Sequence, residues 1–178
     1  MKKIAQFEKV SFEQFESSWR DTFYPAKESR SEELTAEIRH IYEKLRLPKR
    51  ATKGSAGYDF YSPIAFTLKP GEGIKLPTGI RVRIDEGWVL QCYPRSGLGF
   101  KYRLQLNNTV GIIDSDYYAS DNEGHIFCKL TNDSRESKTV IIEEGMGFMQ
   151  GIFMEYGITV DDDTEELRNG GFGSTTGR

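Results

Sequence analysis

The sequence predicts an all-β fold of the sandwich, jelly-roll or barrel type, preceded by helices near the N-terminus. Three observations support this prediction. After residue 47, apolar residues recur at every second position in short runs, and glycine, proline and aspartate separate these runs. Over residues 11–46 the apolar spacing changes to three or four, as in amphipathic helices. A chain of 178 residues suits a single domain with a sizeable core.

A first strand and a first helix are predicted at the N-terminus. Residues 1–10 alternate weakly between apolar and polar positions, as a strand does. From Ser11 the apolar residues take helical spacing, at Phe12, Phe15 and Trp19. Ser11 and Gln14 have the form of a capping box, which predicts that the helix begins directly after Ser11.

A second helix is predicted between Ser31, which is a capping residue, and Pro48, which prevents continuation. Its apolar residues form one stripe, namely Leu34, Ile38, Ile41 and Leu45. Such a stripe usually packs on the helix's own domain. The other interpretation is that residues 11–46 bind a protein partner through it.

The region from 47 to 160 predicts the β domain. Alternating positions include Ile64, Phe66 and Leu68, then Ile80, Val82 and Ile84, then Trp88, Leu90 and Cys92, and later Ile126, Cys128 and Leu130. Residues 139–142 and 148–154 complete the pattern. The acidic run 161–166 and the glycine-rich end predict a solvated linker and a C-terminal arm over residues 161–178.

Composition excludes several classes of function. Lys and Arg total 24 against 27 Asp and Glu, a net charge of −3, so the chain lacks the basic field of a nucleic-acid-binding protein. The two cysteines lie in alternating runs without zinc-site spacing, which predicts buried free thiols. No apolar run reaches the length of a membrane span, and a cytoplasmic protein without membrane association is expected.

The C-terminal segment 168–178 combines glycines, hydroxyl side chains, two arginines and Phe172. Glycines allow backbone N–H groups to approach phosphate oxygens, arginine offers a planar pair of donors, and an aromatic ring stacks on a base. This combination suits a nucleoside triphosphate. The other interpretation is an ordinary polar terminus without fixed structure.

Two internal segments also carry candidate chemistry. Arg95 and Ser96 follow directly on a predicted strand, where a loop can present them to an anion, although an ordinary turn has the same composition. In the run from 108 to 118, Asp114 follows two apolar residues and is the kind of partly buried carboxylate that holds and deprotonates a water molecule. The alternative for Asp114 is a turn residue bonded to nearby backbone N–H groups.

Five segments in this order resemble the motifs of the trimeric dUTPases: AGYDF (56–60), PRSGLG (94–99), NNTVGIIDSDYY (107–118), GMGFMQGIF (145–153) and RNGGFGSTTGR (168–178). The form SDYYASDNEGHI is similar to the variant of Gram-positive bacteria and their phages. The resemblance implies a jelly-roll-like dUTPase barrel with an N-terminal helical insertion, assembled as a homotrimer with active sites at subunit interfaces. It also implies magnesium-dependent hydrolysis of dUTP to dUMP and pyrophosphate, which limits uracil incorporation into DNA and supplies dUMP for thymidylate synthesis.

The resemblance further implies a role for individual residues. Asp114 is the general base, Tyr117 packs under the deoxyribose, and Asn108 with the backbone of its hairpin recognises uracil. Arg168 pairs with the γ-phosphate, and Asp59 contacts the Mg²⁺ through water, without a direct protein ligand. The complete set of implied substrate-binding residues is Arg95, Ser96, Gly97, Asn108, Gly111, Ile113, Tyr117, Gln150, Arg168, Phe172, Gly173, Ser174 and Thr175.

One related activity is an alternative. The dCTP deaminases share the barrel and the trimer, but they use a glutamate to activate water for attack on cytosine. The chain has no convincing match for that arrangement, so the motifs favour dUTP hydrolysis.

Overall fold

The structure, a computed structural model, describes residues 2–25, 31–166 and 168. Its helices are α1 (Phe12–Phe23), α2 (Glu32–Lys44) and α3 (Ser96–Tyr102), with a 3-10 helix at Ser115–Ala119. Its strands are β1 (Ala5–Lys9), β2 (Lys49–Arg50), β3 (Tyr58–Tyr61), β4 (Phe66–Leu68), β5 (Gly73–Pro77), β6 (Ile80–Ile84), β7 (Trp88–Pro94), β8 (Leu104–Leu106), β9 (Gly111–Ile113), β10 (Phe127–Asn132), β11 (Val140–Ile142) and β12 (Gly147–Glu155). The described chain is therefore mostly β, as the alternating pattern predicted.

The strands pair antiparallel. In the described residues the largest sheet has the order β2-β3-β12-β7-β9, a second has the order β5-β10-β8, and two-stranded sheets join β1 to β6 and β11 to β4. The alternating apolar side chains of these sheets meet in one core, whose fully buried members include Phe60, Leu76, Leu90, Leu130 and Phe148. Burial of this apolar surface is the main force that holds the sheets together.

Two helices lie where the apolar spacing predicted them. The Oγ of Ser11 accepts a hydrogen bond from the N–H of Gln14, and the Oγ of Ser31 accepts one from the N–H of Leu34, so both predicted N-caps are confirmed. Leu34, Ile38 and Leu45 are buried within the chain itself. The apolar stripe of α2 therefore packs against α1 and the sheets, in a second core with Phe15 and Trp19.

The prediction of a loop after β7 holds for Arg95, which lies between β7 and α3, but it is wrong for Ser96, which begins α3. Residues 96–102 form α3, although Gly97 and Gly99 are weak helix formers. The helix is held by burial of Leu98 and ends at Arg103, whose left-handed backbone (φ 51°) places its N–H on the carbonyls of Leu98 and Gly99. Tertiary packing has overridden local propensity in this segment.

Both cysteines are buried free thiols, as predicted. Burial raises the pKa of the Cys92 thiol to about 12, so it stays protonated at neutral pH. Within residues 2–25 and 31–166, none of the helices has the length and apolarity to cross a bilayer.

His125 is completely buried between α1 and the sheets. Its Nε2 accepts a hydrogen bond from the N–H of Gly79 (2.8 Å), so the proton of the neutral ring lies on Nδ1, 3.0 Å from the Oγ of Ser18. Burial, with a smaller contribution from Lys75, lowers its pKa to about 3. The folded protein thus holds this ring in its uncharged form.

This burial predicts a pH-dependent stability. In the unfolded chain the histidine pKa returns to about 6.5, so the unfolded state binds the proton more tightly. The stabilisation from His125 is complete above about pH 6.5 and is lost as the pH falls towards 3, at about 1.4 kcal/mol per pH unit. Urea unfolding at fixed protein concentration should show that the wild type loses about 2 kcal/mol more than His125→Asn between pH 7 and pH 5. Equal losses in the two proteins would contradict this account.

Candidate active site

The first candidate cluster lies where β8 and β9 separate. β8 pairs with β10 and β9 pairs with β7, so these consecutive strands belong to two different sheets rather than to one hairpin, and the predicted hairpin is wrong in this respect. The connection turns through Thr109, whose backbone is left-handed (φ 66°). A cavity of about 490 Å³ opens beside the connection, and its walls include Asn108, Gly111 and Ile113. Its size is that of a small-molecule pocket.

Asp114 follows β9 at the edge of this cluster. Its extended backbone (φ −77°, ψ 159°) leads into the 3-10 helix that carries Asp116 and Tyr117. The Asp114 side chain is 48% exposed, which leaves room for a water molecule beside the carboxylate. The Tyr117 ring is buried, and its hydroxyl donates to the carbonyl of His125 (2.8 Å) and accepts from the Nδ2 of Asn122 (2.8 Å). Burial raises the pKa of this hydroxyl.

Arg168 contacts both carboxylates of the cluster. Its Nη2 lies 2.6 Å from the Oδ2 of Asp114, and its Nε lies 2.9 Å from the Oδ1 of Asp116. The guanidinium carbon is 5.7 Å from the centre of the Tyr117 ring. The arginine predicted to bind a γ-phosphate is therefore beside the predicted general base, within reach of an anion placed there.

The second cluster surrounds a smaller cavity of about 160 Å³, lined by Ala51, Ser55, Gly57, Asp59, Arg95, Ser96 and Gln150. The Nε of Arg95 lies 3.0 Å from the Oδ1 of Asp59, and its Nη1 donates to the carbonyl of Gly147 (3.2 Å). Ser96 and Gly97 are exposed on the first turn of α3. A guanidinium, a hydroxyl and an amide next to one carboxylate suit a phosphate with an associated cation.

Strand register brings these residues together. On β12, Gln150 pairs with Asp59 of β3 on one side and with Tyr93 of β7 on the other, and Arg95 follows β7. Gly147 permits the close approach of Arg95, since a Cβ at that position would lie only 2.9 Å from Nη1. Four residues predicted to bind phosphate or the metal's water shell thus meet from three motifs, namely Asp59, Arg95, Ser96 and Gln150.

The two clusters lie in opposite directions along β7. Gly111 pairs with Cys92 and Ile113 pairs with Leu90, so Asp114 falls opposite Val89, whereas Arg95 lies six residues further along the chain. Six residues of a strand span on the order of 20 Å. Within one chain, the predicted general base and the predicted phosphate residues therefore do not form one site.

Four predicted residues cannot be placed in the site, and two residues that were not predicted belong to it. Phe172, Gly173, Ser174 and Thr175 lie outside the described residues. Asn122 lines the larger cavity and holds the hydroxyl of Tyr117, and the carbonyl of His125 is the second partner of that hydroxyl. Neither residue carries a recognisable signal in the sequence, because Asn122 acts through one amide hydrogen bond and His125 acts through its backbone carbonyl.

The donor groups limit how a metal ion would bind. Among the residues that the structure describes, no three His, Cys, Asp or Glu side chains converge as a metal centre. Asp59 is a single carboxylate beside an anion-binding cavity. These residues fit a Mg²⁺ ion held mainly by phosphate oxygens and water, with Asp59 in contact with its water shell.

A search against protein families matches residues 43–176 to the dUTPase family model. The chain is 42% identical over 134 residues to the deoxyuridine 5′-triphosphate nucleotidohydrolase of Lactococcus lactis, a match that covers 74% of this chain and 88% of the relative. It is 39% identical over 147 residues to the enzyme of the same name from Dictyoglomus turgidum, covering 78% of this chain and 95% of that one.

Solved structures give the same result. The crystal structure of dUTPase from Streptococcus mutans superimposes with a TM-score of 0.56 and 38% sequence identity, over 64% of this chain and 88% of the other. A mutant dUTPase from phage phi11 of S. aureus, described as coordinating a structural Mg(II) ion, superimposes with a TM-score of 0.54 and 25% identity, over 68% and 90% of the two chains. Neither α1 nor most of α2 lies within the segment that the family model matches.

Proposed function

Because this chain belongs to the dUTPase family and hydrolyses dUTP to dUMP and pyrophosphate, we propose that each of its active sites is assembled from different copies of a homotrimer. The observation that carries this proposal is the separation of the two clusters along β7. Asp114 must reach the α-phosphorus while Arg95 and Ser96 hold the phosphates around it. A gap on the order of 20 Å within one chain prevents this, whereas a neighbouring copy can supply the missing cluster.

The cluster around Asp114 binds the nucleoside. Asn108 and the backbone at Gly111 and Ile113 contact the edge of uracil in the cavity beside them, and this close contact leaves no space for the methyl group of thymine. The ring of Tyr117 packs under the deoxyribose, where a 2′-hydroxyl would clash. The uracil contacts are supported by the cavity that Asn108, Gly111 and Ile113 line together, and the place of Tyr117 is supported by its hydrogen bond to Asn122, which lines the same cavity.

The cluster around Arg95 binds the triphosphate of the nucleotide held by the other copy. Arg95, Ser96, Gly97 and Gln150 contact the phosphates, and the C-terminal arm with Phe172, Gly173, Ser174 and Thr175 closes over the nucleotide. Arg168 pairs with the γ-phosphate. The Arg168 guanidinium occupies one side of the Asp114 carboxylate, so it moves from Asp114 to the phosphates when the nucleotide binds.

The chemistry is an in-line displacement at phosphorus. Asp114 orients a water molecule towards the α-phosphorus and accepts one of its protons as the new P–O bond forms. The bond between the α-phosphorus and the bridging oxygen breaks, and pyrophosphate leaves. Arg95 and Arg168 offset the charge of the phosphates, which otherwise repels the attacking oxygen.

We include Mg²⁺ as the cofactor. It would be held by the three phosphates and by water, with Asp59 bound to that water, and it would supply positive charge and fix the geometry of the triphosphate. The single carboxylate at the smaller cavity and the absence of a three-carboxylate or histidine centre among the described residues support this arrangement.

The surface near the smaller cavity supports assembly. Phe100 on α3 is 94% exposed, and beside it lies a shallow groove formed by Tyr93, Pro94 and Ile152, among other residues. Burial of one such phenylalanine stabilises an interface by about 1.5–3 kcal/mol. The same groove includes Arg95 and Ser96, so a second copy that covers Phe100 lies beside the phosphate-binding cluster.

We also propose how the chain is divided into segments. Residues 1–178 form one dUTPase domain, with a first strand in 1–10, a helical insertion in 11–46, a jelly-roll-like barrel in 47–160 and an arm in 161–178. The segment 11–46 lies almost wholly outside the family match, which supports its description as an insertion. We further propose a cytoplasmic location, with dUTP as the ligand.

Mixed trimers test the composite site. Asp114→Asn and Arg95→Gln each remove one half of the site, so each protein alone should be nearly inactive. When the two are co-expressed and mixed trimers are purified through two tags, each mixed trimer has one site of its three that combines an intact Asp114 with an intact Arg95. Pyrophosphate release by the purified mixed trimers should therefore recover to about a third of the wild-type rate.

The matched control pairs Asp114→Asn with Asp114→Ala. Both proteins lack the same half, so their mixed trimers should remain inactive. If the first mixture also stays inactive although mixed trimers form, each site is contained in one chain and the composite arrangement is refuted.

A further inference from the structure

Helix α1 contacts the segment that carries Tyr117, and α2 packs on α1. This segment, residues 116–125, follows Asp114, and its polar groups bond to residues of β1 and α1 from a distant part of the sequence. The helices are not required by the family match, which begins at residue 43. The contacts of these helices with residues 116–125 therefore belong to a part of the chain that the family model does not cover.

Glu123 makes the first contact. Its carboxylate accepts hydrogen bonds from both the backbone N–H (2.8 Å) and the Oγ (2.6 Å) of Ser11, the N-cap residue of α1. Its backbone is left-handed (φ 57°), a conformation that non-glycine residues adopt at a cost and that these bonds help to hold. Although burial favours the neutral acid, the bonds from Ser11 and the charge of Arg81 keep the pKa of Glu123 below its usual value.

His125 makes the second contact. Its Nδ1–H donates to the Oγ of Ser18 on α1, and Ser18 also accepts from the Nε2 of Gln14. The ring of His125 is thereby fixed between the helix and the N–H of Gly79. Because the ring is fixed, the backbone carbonyl of the same residue is also fixed, and this carbonyl accepts the hydroxyl of Tyr117.

Helix α2 fixes the start of α1, which carries Ser11. The hydroxyl of Tyr42 on α2 donates to the carbonyl of Val10 (2.7 Å), immediately before Ser11. Directly after Tyr117, the hydroxyl of Tyr118 donates to Glu8 of β1 (2.7 Å). Three residues that follow Tyr117 in the chain are thus bonded to β1, to the N-cap of α1 and to α1 itself, namely Tyr118, Glu123 and His125.

We propose that the helix pair α1–α2 is a positioning device for Tyr117 and that Glu123 and His125 are its positioning residues. By fixing the 116–125 segment, the pair sets the depth of the Tyr117 ring and so sharpens the rejection of ribonucleotides. This inference rests on the proposed contact between Tyr117 and the deoxyribose. A ring free to move by about an ångström leaves space for a 2′-hydroxyl, and displacements of this size change rates at a site by large factors.

The test is the ratio of kcat/KM for dUTP to kcat/KM for UTP. Partial misfolding lowers both values equally and leaves the ratio unchanged, so a merely structural role does not move it. Glu123→Ala should lower the ratio roughly tenfold, chiefly by improving the use of UTP, whereas Glu123→Gln, which keeps an acceptor for Ser11, should stay within about threefold of the wild type. Glu86→Ala, an exposed position on the turn before β7, is the matched control and should leave the ratio unchanged.

Two further variants separate a failure of the positioning role from a failure of the proposed contact between Tyr117 and the deoxyribose. Ser11→Ala is a milder second test, because the backbone N–H still reaches Glu123, and it should lower the ratio in the same direction as Glu123→Ala. Tyr117→Leu removes the ring and should lower the ratio most. If Tyr117→Leu lowers the ratio but neither Glu123→Ala nor Ser11→Ala does, the positioning role is refuted while the proposed function stands. If Tyr117→Leu leaves the ratio unchanged, the proposed contact with the sugar is itself wrong.

Discussion

Asp114→Asn is expected to lower kcat for dUTP hydrolysis by about 100- to 10,000-fold, the contribution of a general base. Asparagine has the shape of aspartate but cannot accept the proton of the attacking water. The site should otherwise remain intact, so the affinity for a non-hydrolysable dUTP analogue, measured by titration calorimetry, should change only a few fold. Near-normal turnover would remove Asp114 from the mechanism.

Asp116 provides the matched control for this prediction. It lies two residues away, is comparably exposed at 52%, and contacts the same arginine through Nε at 2.9 Å. If the contact with Arg168 alone determined the loss, Asp116→Asn would also reduce turnover strongly. We expect Asp116→Asn to keep most of its activity, because only Asp114 is assigned to the water.

Removal of residues 168–178 is expected to reduce kcat/KM at least about a hundredfold while the trimer stays intact. In the proposed site the arm supplies Arg168, several backbone and hydroxyl donors and an aromatic cover, and loss of even one donor to a developing charge costs about that much. Closure of the arm also excludes water from the phosphates. Pyrophosphate release and light scattering would measure the two effects separately.

A point variant separates the arginine from the rest of the arm. Arg168→Gln removes one charged pair, and hydrogen bonds to charged groups contribute about 1.5–3 kcal/mol, which corresponds to roughly ten- to a hundredfold. Its loss should therefore be smaller than that of the truncated protein. A truncated protein with full activity would refute the proposed role of the arm, and dissociation into monomers would show that the arm serves assembly instead.

The linear sequence predicted elements whose signals are local. The caps at Ser11 and Ser31 were predictable because each hydroxyl bonds to a backbone N–H only three residues away. The strands β6, β7 and β10 were predictable because one face of each is buried, and burial of one face imposes a period of two. Asn108, Gly111, Ile113 and Asp114 were recognisable together because they lie within seven consecutive residues.

Other features depend on contacts that local patterns do not encode. The helix α3 exists in spite of Gly97 and Gly99, because Leu98 is buried beneath it. The positions of β8 and β9 in different sheets follow from their partners β10 and β7. The bonds of His125 to Gly79 and Ser18 span 46 and 107 residues, so its role was invisible in the residues around it.

The sequence by itself determined the two kinds of element, the order of the five motifs and the chemistry that those motifs carry, since each depends on residues close together in the chain. Only the tertiary structure decided which of those residues meet. Register across β3, β12 and β7 joins Asp59, Gln150 and Arg95, while the direction of β7 separates them from Asp114. Pairing between strands is set by long-range packing and not by local preference, and this is why the division of the site into two clusters could be seen only in the folded chain.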